Sequence, residues 1–134
     1  MYKQALQIAY NAHKGQTRRD SSVPYIVHPI RISTCFIDDM RKTISILHDV
    51  AEDTDVTLED LNKHFPDKII KTLDALTKRK DEKYFSYIKR LSKDEIAIEV
   101  KIHDLVDNLS DTLCIQPQSM IDRYEKALKI LINK

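Results

Sequence analysis

The chain has 134 residues, the size of one domain, with 42% hydrophobic residues, 32% charged residues and a formal net charge of +1. This balance argues against nucleic acid or a membrane surface as a partner, and no apolar run is long enough to span a bilayer. A single glycine, four prolines and little alternation of apolar and polar residues predict an all-α fold, one domain over residues 1–134.

Apolar residues recur at helical spacing along most of the chain. The predicted helices cover, in chain order, residues 2 to about 14, 28 to about 39, about 41 to 52, 57 to about 64, 66 to 77, 84 to 91, about 93 to 109, and roughly 118 to 132. Gly15, the only glycine, suits the left-handed position after the first helix. Thr57 and Ser92 each precede an acid by three residues, which predicts two capping boxes.

The two cysteines, Cys35 and Cys114, form neither a metal-type pair nor a disulfide framework. The sequence also has no signal-peptide pattern. We therefore expect a reducing, cytoplasmic environment.

The helix predicted over about 41 to 52 carries an unusual polar face. At about 100° per residue, His48, Asp49, Glu52 and Asp53 fall within an arc of roughly 140°, opposite an apolar side. This face has no lysine, and its acids would repel one another unless a cation lay among them. The adjacent His48 and Asp49 are therefore a candidate metal site.

The helix predicted over about 93 to 109 is apolar nearly all round, which is typical of a central helix. It nevertheless carries Lys101, Asp104 and Asn108 within roughly 60° of one another. Charged side chains on a buried helix are costly unless they are paired or bound to a metal. A structural hydrogen bond between Asp104 and Asn108 is one explanation, and a metal site is the other.

The simplest arrangement brings His48, Asp49 and Asp104 to a single cation. His28, at the start of the preceding helix, would be the fourth ligand. Two imidazoles and two carboxylates suit a borderline divalent metal such as Mn²⁺, Fe²⁺ or Zn²⁺.

Four motifs then carry a family resemblance. In order, they are His13-Lys14-Gly15-Gln16-Thr17-Arg18, Pro24-Tyr25-Ile26-Val27-His28-Pro29, Leu47-His48-Asp49-Val50-Ala51-Glu52-Asp53-Thr54, and Val100-Lys101-Ile102-His103-Asp104 through Asn108. Together they resemble the HD-domain hydrolases of the RelA/SpoT alarmone enzymes, most closely the small stand-alone forms. The resemblance implies an all-α HD-domain helical fold and Mn²⁺ binding. It also implies removal of the 3′-pyrophosphate from guanosine tetra- and pentaphosphate, the alarmones of the stringent response, to give GDP or GTP and pyrophosphate.

The resemblance also implies a role for each matching residue. The expected ligands of Mn²⁺, or of another divalent metal, are His28, His48, Asp49 and Asp104. The expected catalytic acidic pair is Glu52 and Asp53. The expected substrate contacts are Lys14, Arg18, Tyr25, Lys101 and Asn108. The chain departs from the family pattern at three positions. Relatives carry a basic residue at the position of Leu105, an aromatic residue or histidine at that of Asp107, and threonine at that of Asp111.

Two other functions remain as alternatives. The chain could be an HD-class phosphohydrolase that acts on another nucleotide, or a catalytically silent module that senses nucleotides. In each case the expected partner is a small phosphorylated molecule. The sequence is also compatible with a homo-oligomer. Among residues outside these roles, His13 is expected to be a packed or capping histidine. The tyrosines Tyr84, Tyr87 and Tyr124 are expected to belong to the core.

Overall fold

The computed structural model describes residues 1–19, 21–111 and 116–134. Within these ranges the chain forms nine α-helices and no β-strand, and one isolated bridge joins Thr17 to Pro24. The helices are α1 (Tyr2–Ala12), α2 (Val27–Ser33), α3 (Asp39–Leu47), α4 (Val50–Asp53), α5 (Leu58–Asn62), α6 (Asp67–Leu76), α7 (Tyr84–Leu91), α8 (Glu95–Ser110) and α9 (Gln118–Ile132). The predicted all-α fold class is therefore confirmed. None of these helices combines the length and the apolar character needed to cross a bilayer.

Two helices lie at the centre of the packing. Helix α3 contacts α1, α2, α6 and α8, and its last five residues, 43–47, are all buried. Helix α8 packs against α2, α3, α6 and α9, as its apolar sequence predicted. One side of α8 still reaches solvent at Val106, which is 43% exposed. Among the polar residues of α8, Asp104 is buried, and Lys101 and Asn108 are partly buried.

The second predicted helix was too long. It ends at Ser33 rather than near Asp39, because Asp38 starts the next helix. The carboxylate of Asp38 accepts a hydrogen bond from the backbone N–H of Arg41 at 2.9 Å, as expected of an N-cap. Ile37, which continues the apolar pattern, is 98% exposed in the connecting turn.

The third predicted helix is broken where the candidate metal ligands lie. Helix α3 ends at Leu47 and α4 begins at Val50, so His48 and Asp49 occupy the turn between them. His48 Nδ1 donates to the carbonyl of Ser45 at 2.6 Å, which takes up an acceptor at the end of α3. The prediction of one continuous polar face was therefore wrong, although the same residues line the site.

The capping predictions had mixed outcomes. Thr57 and Asp60 form the predicted reciprocal capping box at the start of α5. The second box is wrong, because Asp94 rather than Ser92 caps α8, accepting from the backbone N–H groups of Ile96 and Ala97. Gly15 has the expected positive φ, +86°. Cys35 is a free, exposed thiol, and Cys114 lies outside the described residues.

Candidate metal centre and the cavity around it

Four side chains from three segments converge where α2, the end of α3 and the middle of α8 meet. His28 comes from α2, His48 and Asp49 from the turn before α4, and Asp104 from α8. One possible ligand atom from each lies within 4.8 Å of all the others. His28 Nε2 is 2.7 Å from Asp104 Oδ1, and His48 Nε2 is 2.9 Å from Asp49 Oδ2. The structure therefore brings the four predicted ligands into one group that could hold a metal ion.

The donor chemistry of this group fits a divalent cation. Because His48 Nδ1 donates to the Ser45 carbonyl, the lone pair of a neutral His48 lies on Nε2, which faces the group. Burial lowers the pKa of His48, but the carboxylates of Asp49 and Asp104 outweigh it and raise the pKa well above its usual value. Two buried carboxylates thus attract positive charge strongly, and two imidazoles with two carboxylates suit a borderline divalent metal.

Lys101 already neutralises part of this negative charge. Its Nζ donates to Asp104 Oδ2 at 2.8 Å, and its side chain is 12% exposed. Burial acts to raise the pKa of Asp104, but Lys101 and His48 hold it well below its usual range. Lys101 therefore contacts a candidate metal ligand directly, a contact that its expected role in substrate binding did not include.

Tyr25 also reaches the group. Its hydroxyl donates a short hydrogen bond to Asp49 Oδ2, and its ring packs against His13 with the ring centres 4.8 Å apart. Burial and the charge of Asp49 raise the pKa of this phenol far above its usual value, so it stays protonated and acts as a donor. His13 is 2% exposed and its Nδ1 contacts Gln16 Oε1 at 2.8 Å, which is the packed arrangement expected for it.

A cavity of about 540 Å³ opens onto the candidate metal group. Its positively charged lining comes from Arg18, Arg19, Lys78, Lys101 and Arg123. Its aromatic lining comes from Tyr25, Tyr84, Tyr87 and Tyr124. The candidate metal ligands His28, Asp49 and Asp104 line the same cavity as these basic and aromatic residues. This distribution suits a ligand that combines negative charge with an aromatic ring.

The predicted acidic pair lies on α4 at the edge of this cavity. Glu52 Oε1 accepts from the backbone N–H of Lys78 at 2.8 Å, and Gln16 Nε2 donates to the Asp53 carbonyl at 2.8 Å. Burial and the charge of Asp49 raise the pKa of Glu52. The same two causes, with the charge of Glu52, raise the pKa of Asp53 to about 7. Such a carboxyl group exchanges protons readily near neutral pH.

Arg18 lines the cavity but is not a solvated loop residue. It is 6% exposed, and its Nε donates to Asp111 Oδ2 at 3.1 Å while its Nη2 donates to Asn108 Oδ1 at 3.0 Å. Asn108 in turn donates to Asp104 Oδ1 at 3.4 Å. Arg18 and Asn108, both expected substrate contacts, are therefore linked to each other and to the metal group.

Lys14 is placed differently from the other expected substrate contacts. It lies in the turn after α1, is exposed, and is not part of the cavity lining. Its role in substrate binding stays a prediction.

Several residues of the site were not identified from the sequence. Asp107 contacts His28 Nδ1 at 2.6 Å and forms a bidentate pair with Arg31. Burial acts to raise the pKa of Asp107, but these two partners lower it to about 2. Arg123 lies over the ring of Tyr84, 4.4 Å from its centre. The spacing of three residues between Asp104 and Asp107 on α8 was the available signal for Asp107.

The tyrosines expected in the core divide into two kinds. Tyr87 is buried and donates to the Leu76 carbonyl at 2.6 Å, as a core tyrosine does. Tyr84 and Tyr124 are only partly buried and line the cavity. The hydroxyl of Tyr84 is buried and has no hydrogen-bond partner among the described residues. The interpretation of these two as plain core residues was therefore incomplete.

The chain is similar to proteins of known activity. No protein-family model matches it. It is 33% identical over 122 residues to guanosine-3′,5′-bis(diphosphate) 3′-pyrophosphohydrolase MESH1 of Drosophila melanogaster, covering 82% of this chain and 68% of that protein. The protein of the same enzyme name from Borreliella burgdorferi is 36% identical over 137 residues, covering 91% of this chain. This chain spans about a fifth (20%) of the length of that relative.

A solved structure supports the same grouping. It is described as a metazoan ortholog of SpoT that hydrolyses ppGpp and plays a role in starvation responses. It superposes with a TM-score of 0.81 at 29% identity, covering 98% of this chain and 83% of that one. The likeness extends over nearly the whole fold and confirms the predicted HD-domain helical architecture. The chain therefore belongs to the guanosine-3′,5′-bis(diphosphate) 3′-pyrophosphohydrolase family.

Proposed function

We propose that this chain is a metal-dependent hydrolase that removes the 3′-pyrophosphate from guanosine tetraphosphate (ppGpp) or pentaphosphate, giving GDP or GTP and pyrophosphate. The observation that supports this most is the convergence of two histidines and two aspartates beside a cavity that is lined by basic and aromatic residues. Relatives named for this reaction supply the substrate class. The proposal takes residues 1–134 as one HD-type domain acting in the cytoplasm, where the guanine nucleotide pool lies.

The proposed metal ligands are His28, His48, Asp49 and Asp104, with Mn²⁺ as the metal and another divalent cation as a substitute. When bound, the cation would act as a Lewis acid toward a phosphoryl oxygen and would help to acidify water. The protein's own contribution is to bring imidazole nitrogens and carboxylates to one place. Tyr25 supports this by fixing the carboxylate of Asp49. Lys101 instead pairs with Asp104 Oδ2 and offsets part of its negative charge.

The acidic pair would handle the protons of the reaction. Hydrolysis forms a bond between a water oxygen and the 3′-phosphorus and breaks the bond from that phosphorus to the ribose 3′-oxygen. Glu52 would accept the proton that the water loses. Asp53, whose pKa is raised to about 7 in the metal-free protein, would donate a proton to the departing 3′-oxygen.

The basic residues of the cavity would hold the phosphate groups. Arginine suits phosphate because its planar group donates two parallel hydrogen bonds. Arg18 already uses Nε and Nη2 on Asp111 and Asn108, which fixes its position in the wall. Arg19 and Arg123, both exposed, line the same cavity. The rings of Tyr84 and Tyr124 offer flat surfaces for a nucleobase.

A second candidate function is hydrolysis of another phosphorylated nucleotide by the same machinery. The observation that favours it is the pairing of Arg18 with Asp111, because this carboxylate offsets positive charge that would otherwise hold phosphate groups in the cavity. A nucleotide with fewer phosphates would need less of that charge.

The test is hydrolysis of ppGpp by Mn²⁺-loaded protein beside a panel of other nucleotides, with all products separated. We expect ppGpp to have the highest kcat/KM. His48→Ala should abolish the reaction, whereas His64→Ala, at an exposed histidine in the turn after α5, is the matched control and should retain it. A different preferred nucleotide would favour the second candidate. Binding without turnover of any nucleotide would favour a sensing module.

A further inference from the structure

The imidazole of His28 is held at both nitrogens by carboxylates of one helix. Nε2 lies 2.7 Å from Asp104 Oδ1, and Nδ1 lies 2.6 Å from Asp107 Oδ2. Asp104 and Asp107 are three residues apart on α8, so they occupy neighbouring positions on the same helix face. His28 is only 1% exposed. Its ring is therefore fixed between the candidate metal group on one side and Asp107 on the other.

Asp107 is itself held in place by Arg31. Arg31 donates from Nε to Oδ1 at 2.8 Å and from Nη2 to Oδ2 at 2.9 Å. Bidentate pairs of this kind fix the plane of the carboxylate as well as its distance. Arg31 follows His28 by three residues on α2, so the ligand and the residue that anchors its partner share one face of that helix. The Nη2 group of Arg31 also reaches Asp111 Oδ2 at 3.4 Å.

We propose that Asp107, anchored by Arg31, is a positioning residue that sets the tautomer and the orientation of His28 for metal binding. The inference rests on the proposed role of His28 as a metal ligand. A carboxylate at Nδ1 keeps a proton on that nitrogen and leaves the lone pair on Nε2, toward Asp49 and Asp104. A ligand imidazole that donates its other N–H to a carboxylate is oriented and made more basic.

The other histidine of the group shows what Asp107 adds. His48 Nδ1 donates to a neutral backbone carbonyl, that of Ser45, at 2.6 Å. Both contacts select the same tautomer, but only His28 has a charged acceptor behind it. The orientation of His28 therefore depends on a charged side chain, whereas that of His48 depends on the main chain.

A simpler interpretation is that Asp107 and Arg31 only tie α2 to α8. The chain contains a pair that does only this between α3 and α8. Arg41 Nε lies 2.5 Å from Glu99 Oε2, and Arg41 Nη2 lies 3.5 Å from Glu99 Oε1. Neither residue contacts a histidine among the described residues. Glu99→Gln is therefore the matched control, since it removes a carboxylate of α8 from an arginine pair without touching the metal group.

The experiment measures Mn²⁺ affinity of the metal-free full chain, by calorimetry or by the electron paramagnetic resonance signal of free Mn²⁺. Asp107→Asn keeps the shape of the side chain but removes its charge, and its amide can donate to Nδ1 and place the proton on Nε2. We expect the Kd for Mn²⁺ to rise about 10- to 100-fold, because partners of ligand histidines have effects of that size. Glu99→Gln should change it less than about twofold.

Two further measurements distinguish a positioning role of Asp107 from a purely structural one. Arg31→Gln leaves the carboxylate of Asp107, which Arg18 Nη2 also faces at 4.0 Å, but removes its bidentate partner. The Kd should therefore rise by about 3- to 10-fold, below the 10- to 100-fold of full loss. In Zn²⁺-loaded, ¹⁵N-labelled protein, the His28 ring should show a protonated Nδ1 in the wild type and should lose that signature in Asp107→Asn.

The outcomes that overturn the inference are distinct from those that overturn the proposed function. If the wild type binds Mn²⁺ and Asp107→Asn binds it within about twofold, the positioning role is wrong and the metal site stands. If the wild type binds no Mn²⁺, the metal assignment fails and this inference fails with it. If Asp107→Asn does not fold, Arg31→Gln decides, and an unchanged Kd there overturns the role.

Discussion

Lys101 offers an informative substitution because its charge contacts a candidate metal ligand. Its Nζ donates to Asp104 Oδ2 at 2.8 Å, and although burial lowers the pKa of Lys101, Asp104 raises it well above its usual value. Lys101→Met keeps most of the apolar stem and removes the ammonium group. Oδ1 of Asp104 would keep its contacts with His28 and His48, whereas Oδ2 would lose this donor.

The expected loss in free energy of unfolding follows from the contacts that Asp104 keeps. A hydrogen bond between charged groups contributes about 1.5–3 kcal/mol, and breaking a fully buried pair costs about 3–5 kcal/mol. Because Asp104 keeps its Oδ1 contacts and the side chain of Lys101 is 12% exposed, the smaller of these two energies applies. The free energy of unfolding of metal-free Lys101→Met should therefore fall by about 1.5–3 kcal/mol. Mn²⁺ affinity should not fall, because an ammonium beside the site opposes a second cation.

Urea unfolding measures the first effect, with a chelator present and then with saturating Mn²⁺. Lys89→Met on α7 is the matched control, since Lys89 is exposed. It should change stability by less than about 0.5 kcal/mol. A loss in Lys101→Met no larger than in this control would refute the electrostatic account of Asp104. A tenfold weaker Mn²⁺ Kd in Lys101→Met would show that the lysine supports the metal site instead of opposing the cation.

Three further predictions concern the other parts of the site. Glu52→Gln and Asp53→Asn should keep bound metal and lower kcat by about 10²- to 10⁴-fold. Because Asp53 is the proposed acid and its pKa is about 7 in the metal-free protein, the wild-type rate should fall as pH rises through the pKa of this group, and a pH–rate profile of Asp53→Asn should lack that limb. Arg18→Ala should lower kcat/KM by about 10- to 150-fold, with Arg18→Lys recovering only part; unchanged steady-state kinetics would remove Arg18 from substrate binding. His48→Ala should lose its metal by elemental analysis, and full occupancy would exclude His48 as a ligand.

The convergence of the four candidate ligands could be predicted because these residues conflict with their local sequence. Asp104 lies in a helix that is otherwise apolar, and a buried acid needs a partner. His48 and Asp49 follow a run of apolar residues that enters the core. Because each of these polar residues would be costly to bury alone, the sequence indicated that they contact one another. The all-α class followed from the helical spacing of apolar residues, and eight of the nine helices in the described ranges span at least five residues.

The break in the third helix could not be predicted by the same reasoning. Val50 is buried, like Ile46 and Leu47 before it, so the apolar pattern continues through the turn without a glycine or proline to mark it. The turn depends on a side chain, because His48 Nδ1 donates to the Ser45 carbonyl at 2.6 Å. Local periodicity contains no information about that contact.

The contacts of Asp107 and Arg18 depend on how helices pack. Asp107 meets His28 and Arg31 only because α2 lies against α8 in one particular register. Arg18 meets Asn108 and Asp111, which are at least 90 residues away in the chain. Such long-range pairs follow from tertiary packing and not from the spacing of residues along one helix.

The most direct test of the central claim is the product analysis of one reaction, ppGpp incubated with Mn²⁺-loaded protein. The account predicts GDP and pyrophosphate in equal amounts, because the bond that breaks joins the ribose 3′-oxygen to the nearer phosphorus. It also predicts no product from Asp49→Ala under the same conditions. Release of orthophosphate, or no turnover by wild-type protein with Mn²⁺ bound, would contradict the account.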